Sequence, residues 1–148
     1  MDAHLYNVDI NWKSGRTGEM TSPELTTTVE IATPPQFPNG VEGIWSPEHL
    51  FTAAVGSCLM TTFMAIAENS KLEFKDFKCK TSGKLDRIDG KFLMTEVILE
   101  PTVTILNEED KEKAERVLQK SEANCLISNS VTSKITMKTN IIVGLTVQ

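Results

Sequence analysis

Few side chains in this sequence combine reactivity with a suggestive setting. They are the thiols of Cys58, Cys79 and Cys125, the guanidinium of Arg16 and the carboxylate of Glu48. Metal chemistry is not expected, because structural zinc sites use closely spaced ligand pairs and no C-x2-C or H-x3-H pair occurs. A hydrolytic triad fails on reach: His49 lies one turn into the same helix as Ser57 and Cys58, too far along its axis to serve either. Thiol chemistry is what the residues can offer. The thiolate is the nucleophile, and burial disfavours it, so a buried reactive cysteine needs a nearby cation. A helix dipole fades within about one turn, and Cys58 lies about three turns from the N-terminus of its helix. Arg16, set among Gly15, Thr17 and Gly18, could approach closely, and Glu48 could orient it through a bidentate pair. The same residues also read as a solvated loop arginine, a first-turn acid and a small core thiol. Spacing alone leaves both readings open.

The element that must carry Cys58 is the stretch from Ser46 to Asn69. Ser46 suits an N-cap and Pro47 the first helical position, while Glu48 complements the positive end of the dipole. No charged residue or proline follows from Leu50 to Ala67. A helix apolar nearly all round is expected to be covered nearly all round. Ala53, Ala54, Gly56 and Ser57 make it thin beside Cys58, so another backbone can come close.

Before this helix, His4 to Lys13 alternates with Tyr6, Val8, Ile10 and Trp12 on one face, as a half-buried strand does. Thr17 to Met20 and Leu25 to Ile31 predict two further strands, and the Pro/Gly-rich segment from Thr33 to Gly43 predicts a loop. After it, Phe74 to Ile88 and Lys91 to Leu106 predict a hairpin turning at Asp89-Gly90. Pro101 predicts an edge, bulge or break in the second of these strands. Asn107 is the expected cap of a second helix that starts with Glu108, Glu109 and Asp110. Its stripe of Ala114, Val117, Leu118 and Ser121 leads to Cys125, and Asn124 to Asn129 could hold a further short turn. One last strand is expected from the alternation of Ile135, Met137, Thr139, Ile141 and Val143. Cys79 shares a strand face with Phe77 and Thr81 and reads as core.

The expected class is α+β in the order βββ–α–ββ–α–β, with a long buried central helix and one domain over residues 1–148. One chain of this size supplies about one sheet, which is too little to cover such a helix. A homodimer is therefore expected. A net charge of −5 and a pI near 5.1 argue against nucleic acid or an anionic membrane as partner. Ser, Thr and Gly dilute the central helix and its flanks are acidic, which argues against a membrane span. Three cysteines without an N-terminal signal pattern predict a reducing, cytoplasmic setting.

Three motifs, read together, resemble the OsmC/Ohr family of osmotically inducible and organic hydroperoxide resistance proteins. They are Gly15-Arg16-Thr17-Gly18, then Ser46-Pro47-Glu48-His49-Leu50-Phe51-Thr52-Ala53-Ala54 running on to Ser57-Cys58, and Cys125-Leu126-Ile127-Ser128-Asn129. The Ohr branch usually has Asp after the arginine and Pro after the second cysteine, where this chain has Thr17 and Leu126. The resemblance implies an OsmC-like fold, an intertwined homodimer and a thiol peroxidase without metal or other cofactor. It implies that Cys58 attacks the peroxide and that Cys125 condenses with the resulting sulfenic acid. It implies further that Arg16, held by Glu48, activates the thiolate, and that an external dithiol, of lipoyl type for example, reduces the disulfide. Leu50, Phe51, Leu59, Met60 and Phe63 near Cys58 favour a small organic hydroperoxide over hydrogen peroxide. The other classes carried by the sequence are a binding or redox-sensing protein of this fold without efficient turnover, and a purely structural dimer.

Overall fold

A computed structural model of the chain describes residues 2–144. The described residues group into two compact units that divide between Leu50 and Phe51. The first holds an antiparallel meander of β1 (Asp9–Ser14), β2 (Thr17–Ser22) and β3 (Leu25–Ala32), in the order β1-β2-β3. The expected first strand is shorter than its alternation suggests, for residues 4–8 lie outside it. Nor is it half-buried: every residue of β1 is exposed, Trp12 at 77%, and so is Tyr6 ahead of it at 86%. Alternation marks a face that is apolar, and within this chain that face is left open.

The helix α1 (Pro47–Asn69) starts in the first unit and continues through the second. Its cap is the one expected, with the His49 backbone N–H donating to the Ser46 hydroxyl at 3.1 Å. Val55, Cys58, Leu59, Phe63 and Ala67 are buried, while Ala53, Ser57, Met60 and Met64 form an exposed stripe. The helix is thus not covered all round within the chain. By length and composition alone it could also cross a membrane.

In the second unit β4 (Phe74–Ile88) and β5 (Lys91–Ile105) form a long antiparallel hairpin. Asp89 and Gly90 both have positive φ, as a two-residue turn between twisted strands requires. The opposite edge of β5 carries two short parallel strands, β6 (Lys134–Met137) and β7 (Asn140–Val143), where the sequence reads as one. Pro101 explains the division. Leu99 pairs with Met137 and Thr102 with Asn140, so the residue lacking an N–H falls opposite the gap between the two strands.

The second helix, α2 (Lys111–Ala123), also starts later than expected. Glu108–Asp110 is a 3₁₀ turn, and Asn107 closes it through its carbonyl, which accepts from the Asp110 N–H at 3.0 Å; its side chain makes no capping bond. Ala114, Val117, Leu118 and Ser121 are buried, as their spacing demands. Ala114, Val117 and Leu118 pack with Phe63, Ala67, Leu72, Val103 and Ile105, and a second cluster joins Val55, Leu59, Val97 and Leu99. Fully buried side chains such as Phe63 and Leu59 each contribute about 1.5–3 kcal/mol. These contacts fix the middle of α1 on the sheet and so fix Cys58.

Candidate active site

The strand pairing and the helices bring Cys58 and Cys125 together. Cys58 is buried at the middle of α1; Cys125 lies just beyond the end of α2 and is fully buried. Both are free thiols, and the Cys125 thiol donates toward the Cys58 sulfur. Burial pushes the Cys58 thiol up. Hydrogen bonds from the Cys125 thiol, the Ile127 N–H, the Thr62 hydroxyl and the Leu126 N–H together outweigh it and hold Cys58 below the ordinary thiol range. Thr62 stands one turn along α1 with its hydroxyl 3.8 Å from the Cys58 sulfur. Cys125 moves the other way: burial and donation to Cys58 push its thiol up, against smaller opposing bonds from Ser128. The two thiols are thus unequal, Cys58 held below and Cys125 above the ordinary thiol range.

The segment after α2 is held by its own side chains. The Asn129 backbone N–H donates to the Cys125 carbonyl at 3.0 Å, and its amide donates to the Ala123 carbonyl at 3.2 Å, satisfying an acceptor the helix end leaves open. The Ser128 hydroxyl donates to the Glu122 carboxylate at 2.9 Å. Cysteine, serine and asparagine at 125, 128 and 129 are therefore a built loop that aims a thiol and two backbone N–H groups at α1.

Arg16 and Glu48 belong to the first unit, where both line a cavity of about 560 Å³. Arg16 occupies the turn between β1 and β2. Gly15 there has φ +53°, Trp12 donates its indole N–H to the Gly15 carbonyl at 3.0 Å, and the Arg16 carbonyl accepts from the Thr33 N–H at 3.1 Å. Glu48 is in the first turn of α1, beside the capping Ser46. Ile10, Trp12, Ile31 and Phe37 supply apolar wall to the same cavity. Leu59 and Phe63, expected around the thiol, serve the core instead, and Met60 is on the exposed stripe.

Cys79 is half-buried on β4, packed at the edge of the Val55–Leu59 cluster and accepting from the Thr81 hydroxyl at 3.6 Å. Burial pushes its thiol up, as expected of a packed and unreactive cysteine. Among the described residues no group of His, Cys, Asp and Glu could hold a metal ion. Sequence reasoning sought a cation for Cys58 and missed Thr62, Ser128 and the N–H groups of Leu126 and Ile127. The i, i+4 spacing of Cys58 and Thr62 was the signal available for the first; backbone donors leave none.

The model of the family described as OsmC-like protein matches residues 40–140. The uncharacterized protein YmaD of Bacillus subtilis is 26% identical over 142 residues, covering 93% of this chain and 92% of its own. An OsmC-like protein of unknown function from Vibrio cholerae superposes with a TM-score of 0.83 at 22% identity, over 93% of this chain and 99% of that one. An organic hydroperoxide resistance protein OsmC from Legionella pneumophila superposes with a TM-score of 0.76 at 22% identity, over 97% of this chain and 100% of that one. These likenesses agree with the α+β arrangement of two helices and two sheets.

Proposed function

The chain belongs to the OsmC-like protein family, and from that premise we propose that it is a cysteine-based thiol peroxidase that reduces organic hydroperoxides to alcohols. The observation that carries this reading is the Cys58–Cys125 pair, two buried thiols in hydrogen-bonding contact with the thiolate favoured on Cys58. The Cys58 thiolate attacks the outer oxygen of the hydroperoxide and the O–O bond breaks. The alkoxide takes a proton and leaves as the alcohol, and Cys58 is left as a sulfenic acid. Cys125 then displaces the hydroxyl from the Cys58 sulfur, giving a disulfide and water. An external dithiol restores both thiols by exchange. This requires a reducing compartment such as the cytoplasm.

An organic substrate is supported by the name of the Legionella relative and by the apolar wall that accompanies Arg16 and Glu48. The roles of Arg16 in stabilising the thiolate, and of Glu48 in holding the guanidinium, rest on the family resemblance. The assembly proposed is a homodimer. Its support is the uncovered apolar surface of β1 and of the Ala53, Ser57, Met60 and Met64 stripe. Non-reducing peptide mapping after one equivalent of an alkyl hydroperoxide tests the chemistry. The expected product is a Cys58–Cys125 linked peptide. Two thiols that still alkylate freely, with the peroxide unconsumed, refute the peroxidase and leave a binding or structural role.

A further inference from the structure

Resolution of the sulfenic acid needs Cys125 as a thiolate, yet Cys125 is fully buried and donates its proton toward Cys58 in the reduced protein. No peroxide can accept that proton, because the peroxide has already left as alcohol. The groups that face Cys125 from the other side are Ser128 and, behind it, Glu122. Ser128 meets the Cys125 sulfur through both its hydroxyl and its backbone N–H. Its hydroxyl also lies 2.9 Å from the Glu122 carboxylate, to which it donates. One hydroxyl proton can serve only one acceptor at a time, so the contact has two settings. With Glu122 ionised, Ser128 donates to the carboxylate and Cys125 keeps its proton. With Glu122 protonated, the carboxyl donates to Ser128, and Ser128 donates to a Cys125 thiolate. The two settings differ by one proton passed from sulfur to carboxylate.

We infer that Glu122 and Ser128 form a proton relay that converts Cys125 into the nucleophile of the disulfide-forming step. The inference rests on the peroxidase reading of the same site. In the reduced protein the Cys125 proton stabilises the Cys58 thiolate. Once Cys58 carries the hydroxyl, that hold is released, and the proton passes through Ser128 to Glu122. The Cys125 thiolate attacks the Cys58 sulfur, the S–S bond forms and the S–O bond breaks. Hydroxide leaves and is neutralised to water by the proton the relay took up, either directly or through solvent. Cys58 sulfur is reduced, Cys125 sulfur is oxidised, and no further oxidant is needed. Two features suit Glu122 to this task. It is half-buried, so the relay runs from a fully buried thiol to a group in touch with water. Burial, only partly offset by the Ser128 bond, also holds its carboxyl above the usual carboxylate range, which makes it a better proton acceptor. The titratable groups along this line are the thiols of Cys58 on α1 and Cys125, and the carboxyl of Glu122 on α2.

The test is a rapid-quench experiment on the full chain with one equivalent of cumene hydroperoxide, the sulfenic acid being trapped with dimedone and the disulfide counted by non-reducing mass mapping. In Glu122→Gln, disulfide closure slows about tenfold or more relative to sulfenic acid formation. In the wild type the closure rate rises with pH as Glu122 ionises, and this limb disappears in Glu122→Gln. Glu122→Asp restores part of the rate and the limb. Ser128→Ala, which removes the middle of the relay, gives the same defect and keeps the test available if Glu122→Gln fails to fold. Wild-type step ratios and an unchanged pH profile in these variants overturn the relay. A wild-type protein that yields neither a trapped sulfenic acid nor the Cys58–Cys125 disulfide, with the peroxide unconsumed, overturns instead the peroxidase reading beneath it.

Discussion

Gly56→Ala probes how tightly α1 lies on the sheet that supports Cys58. A Cβ at position 56 would stand 2.5 Å from the Thr81 Oγ1 and 3.2 Å from both its Cβ and Cγ2. Rotating Thr81 gives incomplete relief, since its Cβ does not move with the rotation and already stands at 3.2 Å, and the rotation breaks the bond from Thr81 to Cys79. Overpacking of this kind costs about 1–3 kcal/mol, while replacing a mid-helix glycine by alanine returns about 1 kcal/mol of backbone propensity. With the central values, Gly56→Ala is destabilising by about 1 kcal/mol. Thr81→Ala removes both hydroxyl and methyl, so in that background the same change turns neutral or stabilising by up to about 1 kcal/mol. The coupling is about 1–2 kcal/mol, above what independent sites show. Urea unfolding followed by far-UV circular dichroism reads it. With a slope near 2 kcal/mol/M, the Gly56→Ala midpoint falls by about 0.5 M. A Gly56→Ala protein that is more stable than wild type, or strict additivity in the double mutant, would refute the close approach.

The cysteines divide by role: Cys58→Ser abolishes peroxide consumption, Cys125→Ser performs a first turnover and then stalls with oxidised Cys58, and Cys79→Ser turns over nearly as wild type. Steady-state peroxide assays with intact-mass readout decide this, and equal loss of the first turnover in Cys58→Ser and Cys125→Ser rejects it. Arg16→Ala slows peroxide consumption by orders of magnitude while the circular dichroism spectrum persists; an unchanged rate and thiol titration return Arg16 to an ordinary turn residue. Sedimentation at micromolar concentration shows a dimer, and a folded, stable monomer removes that proposal. Stability also carries the signature of Glu122. Because its folded carboxyl is raised, the native state binds more protons than the unfolded chain just above the usual carboxylate range. Unfolding free energy therefore declines as pH rises through that window, and Glu122→Gln flattens the decline in thermal melts.

Legibility in the sequence followed the locality of the physics. Ser46-Pro47-Glu48 and Asp89-Gly90 specify their structure within a few residues, and both stand where their chemistry puts them. The stripe Ala114, Val117, Leu118, Ser121 likewise needs only helical spacing. What went unread depended on partners elsewhere in the chain. The alternation of Ile135 to Val143 continues unbroken across the gap between β6 and β7, because the cause of the gap is Pro101 on another strand. Asn107 has the composition of a cap, but its carbonyl rather than its side chain closes the turn. At the candidate site the two thiols could be picked out. The donors around Cys58 could not, since the Leu126 and Ile127 N–H groups carry no mark in residue type.

The apposition of Cys58 and Cys125 also has a mechanical consequence. A bond between them closes a loop running from residue 58 to residue 125, which encloses the whole β4–β5 hairpin and α2. Shortening the unfolded ensemble by such a loop is worth roughly 4 kcal/mol in the chain-entropy picture, comparable to a large fraction of a small domain's net stability. The catalytic cycle would then alternately staple and release the second unit. Each turnover leaves the fold firm after peroxide and looser after the dithiol. Melting temperature thereby becomes a direct readout of redox state, and proteolysis would fall preferentially on the reduced protein.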